Sequence, residues 1–182
     1  MDAAAAAQRE GLAGMAESWR TRLTRWGFNW FPAYRGTGAW VTYIASDWRE
    51  VRIKLPRNIQ TYNYVGTIFG GSMYASVDPF YMIMLIRNLG KDYVVWDKAA
   101  SIRFKKPGRS TLYARFALDE AELQTIREES RAARSIDRVY RIDLTDAQGV
   151  VHAEIEKVVY IRRATPDDAA AFHQTDAKLA RQ

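Results

Sequence analysis

The chain contains no cysteine, which rules out disulfides, thiolate metal sites and cysteine nucleophiles and makes the cytoplasm the expected compartment. Histidine is scarce. His152 stands in a charged, strand-like run and His173 in a polar tail, placements that predict solvated roles and argue against a zinc site or a histidine-based triad. Long apolar runs are also missing: the richest stretch, from Phe69 onward, is broken by Asp78 and ends at Arg87, short of the ~18 to 20 residues a membrane span needs. The opening MDAAAAAQREG has an acid where a secretory signal has a base, so no signal peptide is expected. There is no G-x-S-x-G, H-E-x-x-H or G-x-G-x-x-G, and no Walker A, since Ser72 stands where its lysine would be needed. No internal repeat or low-complexity linker interrupts the chain.

What is present describes an ordered protein. Its 182 residues are 48% hydrophobic and 26% charged, with six Trp and ten Tyr, enough for one domain with a sizeable core. The net charge of +6 favours anionic partners: nucleic acid, an anionic membrane surface, or a phosphorylated cofactor such as coenzyme A.

Hydrophobic period divides the chain. Leu12, Met15, Trp19, Leu23 and Trp26 recur every three or four residues and predict an amphipathic helix ending before Pro32, packed across the domain or against a partner subunit, with a membrane-surface helix as the alternative. From Gly38 the period becomes two. Val51, Ile53 and Leu55 alternate with Arg52 and Lys54, and two strands joined near Asp47 to Glu50 fit the pattern. Helical period returns with Phe69, Met73, Val77, Tyr81 and Leu85, one long interior helix that Gly90 closes. Strands follow, with Ala100, Ile102 and Phe104 and then Leu112, Ala114, Phe116 and Leu118 on core faces. A charged segment, a short helix or an extended loop, leads to a terminal hairpin turning at Ala147 to Gly149. The fold class is α+β: an antiparallel sheet wrapped around one helix.

The stretch NYVGTIFGGSMYASVDPFYMIML, from Asn63, carries the chemistry. Gly70 and Gly71 at a helix start leave backbone N–H groups open, able with the helix dipole to stabilise an oxyanion. Asp78, two turns on, could act as base or nucleophile, but in one subunit it lies ~10 Å along the axis from that start, which points to a site completed by another subunit. A purely architectural reading stays open beside this one. The glycines would let the loop pass close to the sheet, and Asp78 and Pro79 would stand at N-cap and N1 of a second helical segment.

With its continuation DYVVWDKAASIRFKKP, this stretch resembles the hotdog-fold thioesterase superfamily, in a branch labelled tetrameric acyl-CoA thioesterase-like, over roughly Gly38 to Arg163. The resemblance implies a curved sheet around a central helix, with subunits joined edge to edge in a homodimer or homotetramer. It divides the chain into an N-terminal helix (1–36), a hotdog domain (37–164) and a tail (165–182). It implies hydrolysis of acyl-CoA, with no metal and no cofactor beyond the coenzyme A of the substrate. The Gly71 N–H would meet the thioester carbonyl, Asp78 of the facing subunit would activate water or attack, and Asn63 would orient the water or the carboxylate. Thr67, Phe69 and Gly70 would line the substrate site. Phe69 replaces the histidine of phenylacetate-type relatives and can neither donate nor accept a hydrogen bond, which suits an acyl pocket. Lys98, Arg103, Lys105, Lys106 and Arg109 are candidates for the phosphates of coenzyme A. The rival reading is a hotdog protein that binds an acyl-CoA or fatty-acyl ligand without turnover. Nucleic-acid binding through the basic face has no motif behind it, and no nucleic-acid partner is expected.

Overall fold

A computed structural model describes residues 15–168; Leu12, His173 and residues 169–182 of the tail lie outside them. Helix α1, Trp19–Trp30, begins at a reciprocal cap. The Ser18 hydroxyl accepts the Thr21 N–H (3.2 Å), and the Thr21 hydroxyl accepts the Ser18 N–H (3.0 Å). Pro32 opens the short α2, Pro32–Gly36. Strands β1 (Trp40–Ile44) and β2 (Glu50–Leu55) form the first hairpin. The central helical rod follows as α3 (Gly70–Val77) and α4 (Phe80–Leu89), closed by Gly90 at φ +79°. Then come β3 (Tyr93–Phe104), β4 (Leu112–Ala117), α5 (Glu120–Ala132), β5 (Ile136–Thr145) and β6 (Val151–Arg163). The six strands make one antiparallel sheet in the order β1-β2-β4-β5-β6-β3. A curved antiparallel sheet holding a central helix is the hotdog arrangement.

Two-residue alternation accounts for the core. Val51, Ile53 and Leu55 of β2 and Leu112, Ala114 and Phe116 of β4 are buried, and Arg52, Lys54, Tyr113 and Arg115 point away. The inner faces close on Met73, Val77, Phe80, Tyr81, Met84 and Leu85 of the helical rod. Aromatic rings knit the layers, with Phe80 against Phe116 (centroids 4.9 Å) and Tyr81 stacked on Tyr140 (4.2 Å).

Two expectations gain detail and two need correction. The interior helix is two segments, interrupted at Asp78 and Pro79; both keep right-handed helical dihedrals, so the rod continues although proline has no N–H to bond. The charged segment is a 13-residue helix, α5, because Asp119 caps it (Glu122 N–H, 2.7 Å) and Leu123 and Ile126 give it a buried side. Ala100 and Phe104 of β3 are exposed and Ile102 is half-buried, whereas Val94 and Val95 are buried. The cause is position: β3 ends the sheet, paired only with β6, and a bulge between Asp97 and Ala99 shifts its register. Finally, the apolar line of α1 does not pack across the domain. Met15, Trp19, Leu23 and Trp26 are each more than half exposed, while Thr21 and Asn29 are the buried residues of the helix.

Candidate active site

The loop before α3 is folded by Asn63. Its side-chain oxygen accepts from the N–H of Val65 (3.1 Å), the N–H of Thr67 (3.1 Å) and the Thr67 hydroxyl (3.3 Å). Asn63 therefore shapes the loop first, and only its amide NH2 end has no bond among the described residues. Phe69, extended and offering no side-chain cap, delivers the chain into the helix. The first intrahelical bond runs from Met73 N–H to the Phe69 carbonyl (3.1 Å), so the N–H groups of Gly70, Gly71 and Ser72 have no carbonyl of their own helix. Both glycines lie close under aromatic rings. A Cβ on Gly70 would meet the Phe104 ring of β3 at 2.7 Å, and one on Gly71 would meet the Phe69 ring at 2.3 Å, so a side chain at either place would displace an exposed ring. The helix start thus approaches a side chain of the sheet at Gly70 and lies beneath Phe69 at Gly71.

Beside this start lies a cleft of about 360 Å³ lined by Asn63, Thr67, Gly70, Phe104, Lys105 and Lys106, among others. It gathers five residues singled out in the sequence: Asn63, Thr67, Gly70, Lys105 and Lys106. Phe69, exposed, covers Gly71 beside it. The other cations lie elsewhere. Lys98 is paired with Asp137 (2.6 Å), and Arg103 and Arg109 are exposed residues outside the cleft lining. Lys105 itself is 3.2 Å from Glu154, while Lys106 has no carboxylate within 4 Å among the described residues.

Asp78 does not line the cleft; within one subunit the structure keeps it two helical turns from Gly71. Nor does it cap α4, whose N-cap is Pro79 without a side-chain bond. Its carboxylate is held instead. Oδ1 accepts from the Tyr74 hydroxyl (2.7 Å) and from Lys157 Nζ (2.8 Å), and Lys157 also donates to the Asp78 carbonyl and to Asp97 Oδ2 (2.7 Å). Lys157 is completely buried, yet 43% of the Asp78 side chain remains exposed. A buried ammonium needs compensation, and here one cation is shared by two carboxylates. Asp97 carries the consequence: burial raises its carboxyl above the usual carboxylate range, Lys157 opposes this, and the charge of Asp78 adds to the rise. Its Oδ1 is buried with no hydrogen-bond partner among the described residues. Burial, and then the bond to Asp78, also raise the Tyr74 hydroxyl, so Tyr74 remains a donor.

These three residues complete the cluster and were not singled out in the sequence, although the signals exist. Tyr74 precedes Asp78 by one helical turn. Lys157 falls in phase with Ile155, Val159 and Ile161 on the buried face of β6, a lysine where the alternation calls for an apolar residue. His152 also departs from expectation: it is buried, with Nδ1 3.0 Å from the Pro107 carbonyl and Nε2 3.1 Å from Asp146, because the β5–β6 turn folds back over it. Among the described residues no group of three or more His, Asp and Glu side chains could hold a metal, and no helix is long and apolar enough to cross a membrane.

The sequence matches the family described as Domain of unknown function (DUF4442) over residues 20–161. No curated protein matches the chain. Among solved structures, a Pseudomonas aeruginosa protein of unknown function, described as a probable thioesterase, superposes with a TM-score of 0.69 at 19% identity, covering 84% of this chain and all of that one. A Haemophilus influenzae thioesterase gives 0.60 at 12% identity over 82% of this chain and 94% of its own. A protein of unknown function from Chlorobaculum tepidum gives 0.64, also at 12%, over 84% and 99%. At these identities the likeness is one of fold. The chain belongs to the DUF4442 family and has a thioesterase-like hotdog fold.

Proposed function

For this member of the family we propose cytoplasmic hydrolysis of acyl-CoA thioesters by a homo-oligomer, a dimer or tetramer, in which the Asp78 carboxylate of one subunit faces the α3 start of another. The observation that carries the reading is the way Asp78 is held. Tyr74 and Lys157 both grip Oδ1, which fixes the carboxylate while leaving the side chain 43% exposed. A carboxylate fixed in this way and still open on one side can reach a group outside its own subunit, as a base or nucleophile must.

In the reaction water attacks the thioester carbonyl carbon and passes a proton to Asp78, and the carbonyl oxygen takes up the negative charge. The N–H groups of Gly70 and Gly71, together with the dipole of α3, stabilise that oxyanion. Collapse of the tetrahedral species breaks the C–S bond, the proton goes to the departing coenzyme A sulfur, and the free acid leaves. Alternatively the Asp78 carboxylate attacks the carbonyl carbon, the C–S bond breaks and coenzyme A leaves as its thiolate. Water then cleaves the anhydride to the free acid and the restored carboxylate, and the remaining proton of the water goes to the thiolate. Lys157 and Tyr74 are positioning residues for Asp78, and Asn63 orients the attacking water or the carboxylate. Lys105 and Lys106, beside the cleft, serve the coenzyme A phosphates. The exposed apolar edge of the site, Tyr64, Val65, Phe69 and Phe104, supports a second subunit closing over it.

Free-thiol release from acyl-CoAs of short, long and aryl chains, by wild type and Asp78→Asn side by side, tests the proposal. Turnover that falls at least about a hundredfold in the variant is expected. Binding of the same panel with no turnover by the folded wild type would replace this reading by non-catalytic acyl binding, which the ring of Phe69 over Gly71 favours.

A further inference from the structure

Helix α1 is mounted with its apolar side outward. Trp19, Leu23, Trp26, Trp30 and Phe31 are 56 to 68% exposed, whereas the inward side holds Thr21 in the cap, Asn29 against β1 and the half-buried Phe28 on the core. Trp26 and Trp30 stack on each other (6.4 Å between centroids), so their rings form one continuous surface. A groove of about 320 Å³ between α1 and the first hairpin extends this surface to Trp40, with Arg25 and Lys54 among its lining. An exposed stripe of large apolar side chains on one helix demands a partner.

The charges identify it. Around the stripe stand Arg20, Arg22, Arg35 and Lys54, all exposed. Two of them reinforce the aromatics: the Arg35 guanidinium lies 4.7 Å from the Trp30 ring centroid and that of Arg20 5.4 Å from Trp19. Among the described residues Glu17, an acid next to α1, is engaged by Arg25 (2.8 Å) and Arg22 (3.7 Å). A second copy docking here about a two-fold axis would bring cations against cations. An anionic lipid surface answers both halves of the pattern, with tryptophans at the depth of the headgroups and arginines on the phosphates. Strand order adds that α1 lies beside β1, at the other end of the sheet from the open strand β3, so the stripe and that edge are separate surfaces.

We propose that α1 is a peripheral membrane-docking element, seating Trp19, Leu23, Trp26, Trp30 and Phe31 in the interface of an anionic bilayer. The proposal is independent of the thioesterase reading, because no residue of the stripe belongs to the cleft or to the Asp78 cluster. The test is flotation of the full chain with vesicles of equimolar phosphatidylglycerol and phosphatidylcholine, and with vesicles of phosphatidylcholine alone. Co-flotation with the anionic vesicles is expected, reduced at least about tenfold in the Trp26→Ala, Trp30→Ala double variant. A loss of about fivefold is expected for each of Arg20→Gln and Arg22→Gln. Both pairs of side chains are largely exposed, and circular dichroism establishes that the variants are folded. Absence of the wild type from the anionic vesicles, or equal binding by the tryptophan variant, overturns the proposal. So does sedimentation showing that the tryptophan variant dissolves a wild-type oligomer, since the stripe would then be covered by a second copy.

Discussion

Two buried ion clusters in this protein have opposite stoichiometry. Around Glu50, one carboxylate is gripped by two guanidiniums: Arg115 through Nε and Nη2 (2.7 and 3.0 Å) and Arg52 through Nε (2.6 Å). Around Lys157, one ammonium serves two carboxylates. Burial alone would raise the Glu50 carboxyl, but its hydrogen bonds to Arg115 and Arg52 outweigh burial and bring it down to about 2. In the other cluster burial prevails: it raises the Asp97 carboxyl against the pull of Lys157, and the charge of Asp78 adds to the rise. The same ingredients, carboxylates and cations from neighbouring elements, hold a carboxyl down where cations predominate and leave one raised where a single buried cation is shared. Strand register explains the clamp, because Arg52 pairs directly with Arg115 on adjacent strands and Glu50 neutralises two like charges that would otherwise face each other.

Removing the central charge of each cluster separates them most sharply. Lys157→Met leaves two carboxylates around a buried apolar side chain, and a loss of about 3–5 kcal/mol is expected in urea unfolding. Glu50→Gln is expected to lose less, about 1.5–3 kcal/mol, since Arg52 and Arg115 are 54% and 41% exposed and can rehydrate. Equal losses would mean that stoichiometry does not distinguish the two sites.

Acid sharpens the contrast further. Glu50 has a lowered folded pKa, so its contribution is fully present above about 4.5 and is lost as pH falls from there towards about 2. Glu50→Gln should therefore flatten the acid limb of the stability profile. Asp97 has a raised folded pKa, so its contribution is present below the usual aspartate pKa and declines as pH rises through the raised value. Asp97→Asn, the smallest of these effects, should remove that decline and leave the acid limb set by Glu50 unchanged. Stability followed by chemical denaturation at successive pH values checks both.

Where burial followed a simple period, the sequence was transparent. Val51, Ile53 and Leu55, the Gly90 stop and the hairpin turn at Gly149 stand where local pattern put them, because propensity, pattern and packing agree there. The loop and the helix start were legible as an open turn because glycines and an uncapped helix leave a local signature. Lys157 and Asp97 were not, since nothing in a single strand says which distant carboxylate will meet a lysine 79 residues from Asp78. The outward face of α1 was hidden for a related reason. Its apolar period is that of any core helix, and the side that turns inward is decided by the bonds from Asn29 to β1 and by Phe28, which packs against Trp48 and Phe80.

Those two bonds reach beyond α1. The Asn29 amide donates to the Val41 carbonyl (3.1 Å) and accepts the Val41 N–H (2.8 Å), so it presents to β1 the donor and acceptor that a neighbouring strand would offer. The β1 edge is thereby terminated, and β3 is left as the side on which the sheet can grow. Two copies meeting along β3 would end in a terminated β1 at either extremity. At both outer edges of such a pair the Asn29 carboxamide would already occupy the Val41 position that an incoming strand would need.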